Sequence, residues 1–434
     1  MFVAGSLRCL LVIAATGMAA QTTESPALDP ADEATHTAPG IEPSRSNVLR
    51  MGLRISADLD DNALNNNQNP QANLVTSIQP RLGWHFSRAR IDWATDYSPA
   101  LSRSQNFSVY DSFSHVFENS FQLKLTRRLR IRLHENFLKS TNPFEQLRAA
   151  ESATGPALGG VPNDTVPATS AEVRTEQASL DMVYAASAHS KMGVVGEFLN
   201  ARYNLQPAVS TSNQLLQSSS TVGAHAYYSR QVTRHQWIGF DYHVQKLVFN
   251  SQASSVLVHN LVYIHTIALS GPMSFSFFAG PEQSSVEDMA GTLPSSPIRH
   301  RSTWHLSGGA TTRWSGIRTS VVGRLSRSVG DGGILGAVRL SKISVEIRRT
   351  IAQQWTASLL VSYDDSKALT VPAKLSYGSA AAGLTRTLGR SFSIETQYWW
   401  AHLASESSVP SALSADHNRV SVSLIYDLTL PLGR

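Results

Sequence analysis

A closed antiparallel all-β barrel that spans a membrane is the fold class this sequence predicts, with about 18 strands and 16 as the alternative count. Three observations carry it. From Asn47 onward apolar and polar residues alternate with a period of two, which places one kind on each face of a strand. Most alternating segments reach the roughly 9–11 residues that a tilted membrane strand needs, more than the about 5–6 of a soluble strand. The connections are short and long by turns, as where tight turns line one rim of a barrel and loops line the other.

The chain has 434 residues, 42% of them hydrophobic, and a mean hydropathy of −0.15. So fine a mixture excludes a helical membrane protein, which needs apolar runs of about 18 residues or more. One shorter run stands at the start. Arg8, the apolar stretch from Leu10 to Ala15 and the small-x-small Gly17-Met18-Ala19 predict a signal peptide over 1–19. Cys9, the single cysteine, precedes the apolar stretch and is expected to leave with it, so the mature chain has no thiol chemistry. Residues 20–46 hold Glu24, Asp29, Asp32, Glu33 and Glu42 among Pro, Ala and Thr, without periodicity. That predicts a disordered acidic periplasmic tail. No shift in composition follows, so 47–434 is expected to be one barrel domain. The 37 basic and 32 acidic residues leave a charge of +5. They form no continuous basic stripe, which argues against nucleic acid as a partner.

The strands follow in order from alternation and turn signals. Segments 48–58 and 74–86 enclose an Asn-rich loop, and 89–98 follows the tight Ser87-Arg88. Segments 110–126 and 129–139 flank Arg127-Arg128. The long connection 140–171 leads to 172–187, which turns at His189-Ser190 into 190–205. Then come 216–230, 234–249 and 254–269, and the Gly271-Pro272 turn opens 272–282. After 283–301 come 302–314, 316–327, 335–349, 353–364 and 374–387. Leu388-Gly389 turns the chain into 390–402, and 403–416 leads to 417–430. In that last segment Val420, Val422, Leu424, Tyr426, Leu428 and Leu430 alternate with Arg419, Ser421, Ser423, Ile425, Asp427 and Thr429. The connections 249–254 and 328–335 are short for external loops, which is why 16 stays as an alternative. An even count brings both termini to one rim, the periplasmic one for an exported barrel. Trp84, Phe86, Trp93, Tyr97, Trp314, Trp355, Trp399 and Trp400 lie towards strand ends and predict interfacial girdles.

The first hairpin carries more than periodicity. Asp60-Asp61-Asn62 closes the first segment, and Ile78-Gln79-Pro80-Arg81-Leu82 lies in the second. This pair of motifs resembles the β-barrel porin 2 group, sharply over about 47–86 and only generally beyond. The resemblance implies an outer-membrane barrel associated with exopolysaccharide or capsule export. It also implies that a proline is expected at Pro80, where a ladder hydrogen bond is otherwise lost. The loop 140–171 is the third external loop, which folds inward in general porins and constricts the channel. Glu145, Arg148, Glu151 and Asp164 are the constriction residues this implies. The porin loop's Pro-Glu-Phe-Gly-Gly is absent, and a solvated surface loop is the other reading.

The polar parity predicts a lumen wall. Arg50, Arg54, Arg81, Arg90, Arg130, Arg132, Arg313, Arg318 and Arg324 belong to it, with Asp92, Glu118, Lys124, Asp241, His305 and Glu395. An excess of arginine favours anions or anionic sugars. Pairing of the arginines with acids on neighbouring strands merely stiffens the wall, and the sequence leaves both readings open. Asp58-x-Asp60-x-Asn62 resembles half a calcium loop, but Ala63 and Asn69 stand where glycine and glutamate are required. The 14 histidines show no metal-ligand spacing. No Gly-x-Ser-x-Gly or similar signature marks a nucleophile. No enzyme, cofactor or metal is therefore expected.

The expected function is a porin-like outer-membrane channel for small or anionic polar solutes, with a link to polysaccharide export. The expected partners are outer-membrane lipid and lipopolysaccharide, the barrel-assembly machinery and polysaccharide-export components. The alternatives are a non-conducting scaffold barrel, a secreted β-sandwich lectin or adhesin, and an outer-membrane barrel enzyme.

Overall fold

The computed structural model describes residues 47–432, apart from 64–66, 68, 109–110, 142–170, 206–217, 250–253, 290–297, 333–334, 370–372 and 408–413. The expected signal peptide, the acidic tail and Glu145, Arg148, Glu151 and Asp164 lie outside the described residues.

Eighteen strands follow one another: β1 Val48–Asp60, β2 Asn73–Ser87, β3 Ile91–Ser104, β4 Ser112–Lys124, β5 Leu129–Ser140 and β6 Ala171–Ser187. Then come β7 Ser190–Leu205, β8 Ser219–Thr233, β9 Gln236–Phe249, β10 Ser254–Ser270, β11 Met273–Met289 and β12 Ile298–Ser315. The last are β13 Thr319–Asp331, β14 Ala337–Ala352, β15 Trp355–Ala368, β16 Ala373–Leu388, β17 Phe392–Ser407 and β18 Ser414–Pro431. Each strand pairs antiparallel with its sequence neighbours, and β18 pairs with β1 from Val48↔Pro431 to Asp60↔Arg419. The sheet is thus a closed 18-stranded barrel with no free edge along this seam. The shortest strand, β5, has 12 residues. At about 3.3 Å per residue and a tilt of about 40° it rises about 30 Å, enough for an apolar belt about 25 Å tall.

One rim carries the short turns, among them His189 between β6 and β7 and Gly389 between β16 and β17. Both ends of the barrel, Val48 and Pro431, meet on this rim. Gly389 has φ +80°, which a side chain disfavours. The longer connections line the other rim, here called the outer one.

The period-two pattern sorts faces as the sequence predicts. On β1, Met51, Leu53, Ile55 and Leu59 face outward and are exposed, while Ser56, Asp58 and Asp60 face inward and are buried. On β18, Val420, Val422 and Leu424 face outward and Arg419, Ser421 and Ser423 inward. An apolar exterior around a polar interior inverts a soluble protein, and hydrocarbon outside is the medium that favours it. Trp84, Phe86, Trp93, Tyr97, Trp314, Trp355 and Trp400 share that exterior parity. Trp399 does not. It faces the lumen, tilted against Tyr377 and under the Arg419 guanidinium at 4.6 Å, so it is a wall residue and not part of a girdle.

Pro80 finds a physical explanation. The β2–β3 ladder has pairs at Ile78↔Leu101 and Leu82↔Tyr97 and none between them. Three pairs are skipped, and at their centre Pro80 stands opposite Pro99. Two residues without an N–H thus share one gap in the ladder, and the loss of pairing is confined to it. The β1–β2 ladder on the other side of Pro80 is continuous.

Candidate pore lining and constriction

Seven of the nine expected wall arginines face the lumen: Arg50, Arg54, Arg81, Arg130, Arg132, Arg313 and Arg324. The other two do not. Arg90 lies in the turn before β3 and Arg318 in the turn before β13, and both are exposed. Each stands in the tight turn one residue ahead of its strand, where strand parity no longer sets the side chain's direction. Glu118, Lys124, Asp92, Asp241, His305 and Glu395 face inward as expected.

Arg54, Arg81 and Arg132 are paired to acids. Arg54 reaches over β18 to the Glu395 carboxylate. Arg81 Nε donates to Asp96 Oδ1 at 2.9 Å, with Glu118 and Asp427 in electrostatic reach. Arg132 grips Asp181 Oδ2 through Nε at 2.9 Å and Nη2 at 2.6 Å, and Tyr227 leans on the same carboxylate. Gly83 makes the Asp96 contact possible, because a Cβ there would stand 2.3 Å from Asp96 Oδ1. Among the described residues no carboxylate lies within ion-pair distance of Arg50 or Arg324. The wall thus mixes arginines neutralised by neighbouring acids with arginines that have no carboxylate in reach among the described residues.

The inner wall of β7–β9 holds a buried cluster that sequence reasoning did not assemble. His225 Nδ1 lies 3.0 Å from Asp241 Oδ2, and its Nε2 lies 3.4 Å from Glu197. His225, His243 and His305 are lumen-facing, while His259 and His265 share the exterior parity. No group of three or more metal-ligating side chains occurs among the described residues. Asp58 and Asp60, the half calcium loop, are occupied within the wall. Asp58 accepts from Ser56 and Ser421, and Asp60 accepts from Arg419 Nε at 2.6 Å.

The structure places an inward-leaning hairpin where the sequence shows only a short connection. β12 pairs with β13 over Gly308–Ser315 and Ser320–Arg327 only, whereas β13 and β14 stay paired up to Asp331↔Ala337. Beyond Arg327 β13 parts from β12 and leans into the lumen with β14, which stays paired with β15 up to Val338↔Ala368. Gln245 Nε2 donates to the Val329 carbonyl at 3.2 Å, and Val329 N donates to Glu282 Oε2 at 3.3 Å. Ser219 Oγ donates to Asp331. Val329 and Ala337 are buried with Leu247, Phe249, Val256, Val258 and Val286 on the inner face of β9–β11. Leu335 packs on Leu375, Tyr377, Ala401, Leu403 and Ala415, on the inner face of β16–β18. The described end of the hairpin thus touches the inner faces of two arcs of wall, β9–β11 and β16–β18. Its turn closes with Gly332 N donating to the Gly336 carbonyl at 2.7 Å, and Gly336 has φ +68°. A signal is present: Val329 and Leu335 are apolar residues in the connection 328–335, which reads as an aqueous-rim loop.

The fold and lining define a membrane-type barrel with a charged lumen. No family model matches the chain. No curated protein matches either. Solved structures do. OpdQ of Pseudomonas aeruginosa is 10% identical with a TM-score of 0.45, over 91% of this chain and 100% of that one. OccK2 (OpdF) of the same organism, also solved in complex with glucuronate, is 9% identical with a TM-score of 0.44, over 89% and 98%. OccAB3 of Acinetobacter baumannii is 8% identical with a TM-score of 0.44, over 88% and 99%. Likeness at this level carries no weight for function.

Proposed function

We propose that this protein is an outer-membrane channel that passes small polar solutes, with a preference for anions, without energy coupling. The observation that carries this reading is the inverted closed barrel. It has an apolar exterior, and Arg50 and Arg324 face the lumen with no carboxylate in ion-pair reach among the described residues. The turn-lined rim, where both barrel ends meet, then faces the periplasm. Selectivity arises from wall charge and from the space left beside the β13–β14 hairpin. Carboxylated sugars fit such a wall, since charge-assisted bonds from arginine suit carboxylates. The first-hairpin resemblance extends the proposal to an accessory role beside polysaccharide export, and a gene neighbourhood without export components would count against that extension.

A second reading has its own support: the hairpin leans into the lumen and touches two arcs of wall, as in a barrel that serves as a scaffold and does not conduct. Reversal potentials of the reconstituted protein under a KCl gradient separate the two. A potential on the anion side supports the channel. Folded, inserted protein with no current supports the scaffold.

A further inference from the structure

A carboxylate on the barrel exterior is left unexplained by the membrane reading, on which this inference rests. Outward residues along β4 run Phe113, His115, Phe117, Asn119, Phe121, Leu123, and along β5 Leu129, Ile131, Leu133, Glu135, Phe137, Lys139. Asn119 and Glu135 stand opposite each other, each flanked on both sides along its strand by apolar residues. Glu135 is six residues above the short-turn end of β5, which is ~15 Å up the wall and near the middle of the belt.

The pair belongs to a directed network on the outer surface. Trp93 Nε1 and Thr95 Oγ1 both donate to Asn119 Oδ1 at 2.8 Å, and Asn119 Nδ2 donates to Glu135 Oε2 at 3.0 Å. The second carboxylate oxygen of Glu135 and the second amide hydrogen of Asn119 have no partner among the described residues. Lipid tails offer neither a donor nor an acceptor, so both groups are costly there. Among the described residues Glu135 is the one exterior carboxylate with apolar exterior neighbours on both sides along its strand. The outward faces of β14–β18, β1 and β2 have no counterpart at this depth; Leu359, Val361, Ala380, Tyr398, Val422 and Ile55 stand there.

We infer that the exterior of β3–β7 is an isologous interface between two copies of this chain. The patch is self-complementary. It presents an acceptor, Glu135, beside a donor, Asn119, so a two-fold axis along the membrane normal lets each carboxylate meet the amide of the other copy at the same depth. Towards the outer rim the same strands carry both signs of charge. Lys139 pairs with Glu172 at 3.2 Å, Arg174 with Glu176, and Arg202 is exposed beside them. Such a mixture complements itself, whereas a single-sign patch repels its own copy.

The test uses the full-length protein in native outer membranes, where the expected mature chain has no cysteine. Ala178, which pairs with Glu135 on the outward face of β6, is changed to Cys, and Ala380 on the far side serves as control. Oxidation should cross-link Ala178→Cys into a dimer and leave Ala380→Cys monomeric. In mild detergent the wild type should elute as a dimer, and the Glu135→Leu, Asn119→Leu double variant as a monomer with unchanged heat-modifiable migration. A monomeric wild type with no Ala178→Cys cross-link overturns the inference, as does a dimer that survives in the double variant. Bound lipid lost from a monomeric wild type on Glu135→Leu also overturns it and assigns the patch to lipid. Loss of heat-modifiable migration in the wild type would instead sink the membrane reading itself.

Discussion

At the scale of the residue, burial decides what each lumen charge does. Arg419 is 2% exposed, held by Asp60 and capped by Trp399. Removing one member of a buried ion pair strands the other, at a cost of about 3–5 kcal/mol. Arg419→Ala should therefore lower the midpoint of urea unfolding, read by tryptophan fluorescence in detergent, while the folded barrel still forms. An unchanged midpoint would mean that Asp60 finds water when its partner is gone. Selectivity tests the wall charges. Arg50→Gln should move the reversal potential towards cations and Glu395→Gln towards anions. Changing Arg54 and Glu395 together to Gln should leave it near wild type, because that pair is neutral in sum. A reversal potential that ignores all three variants would detach the lumen wall from selectivity.

At the scale of the element, the eighteen strands were legible because the period of two is enforced by two different media. The order and number of strands stand as expected. Strand ends were less legible. β3 runs on through Pro99 to Ser104, and β11 through Pro281 to Met289. A proline reads as a terminator, yet it is tolerated in a ladder whose gap is confined. The inward hairpin was hidden for another reason. Alternation gives the parity of a residue and not the plane of its strand, so a hairpin that leans into the lumen keeps the same pattern. Only its length and its apolar tip, Val329 and Leu335, were discordant with a solvent-facing rim. If the hairpin is the constriction, replacing 329–338 by an Asn-Gly turn should raise single-channel conductance several-fold. Equal conductance would place the constriction elsewhere along the lumen.

At the scale of the whole molecule, closure and inversion together make the argument for a membrane. The β1–β18 ladder removes the edge, and the outward parity supplies a belt of Leu, Ile, Val and aromatic residues. Trp304 and Leu306, 68% and 70% exposed, would be a liability in water. The protein should stay soluble only in detergent, and its unboiled form should migrate faster on gels than the boiled form. Full solubility without detergent would fit a secreted barrel and not a membrane one. The cargo was not legible, because it depends on how much space the hairpin leaves and which arginines stay unpaired, and both are set by tertiary contacts. The central claim, that this barrel conducts, is tested most directly by single-channel recording of the purified full-length protein in a planar bilayer. The account predicts discrete, ohmic current steps with an anion-side reversal potential. Heat-modifiable, inserted protein that gives no steps would contradict it.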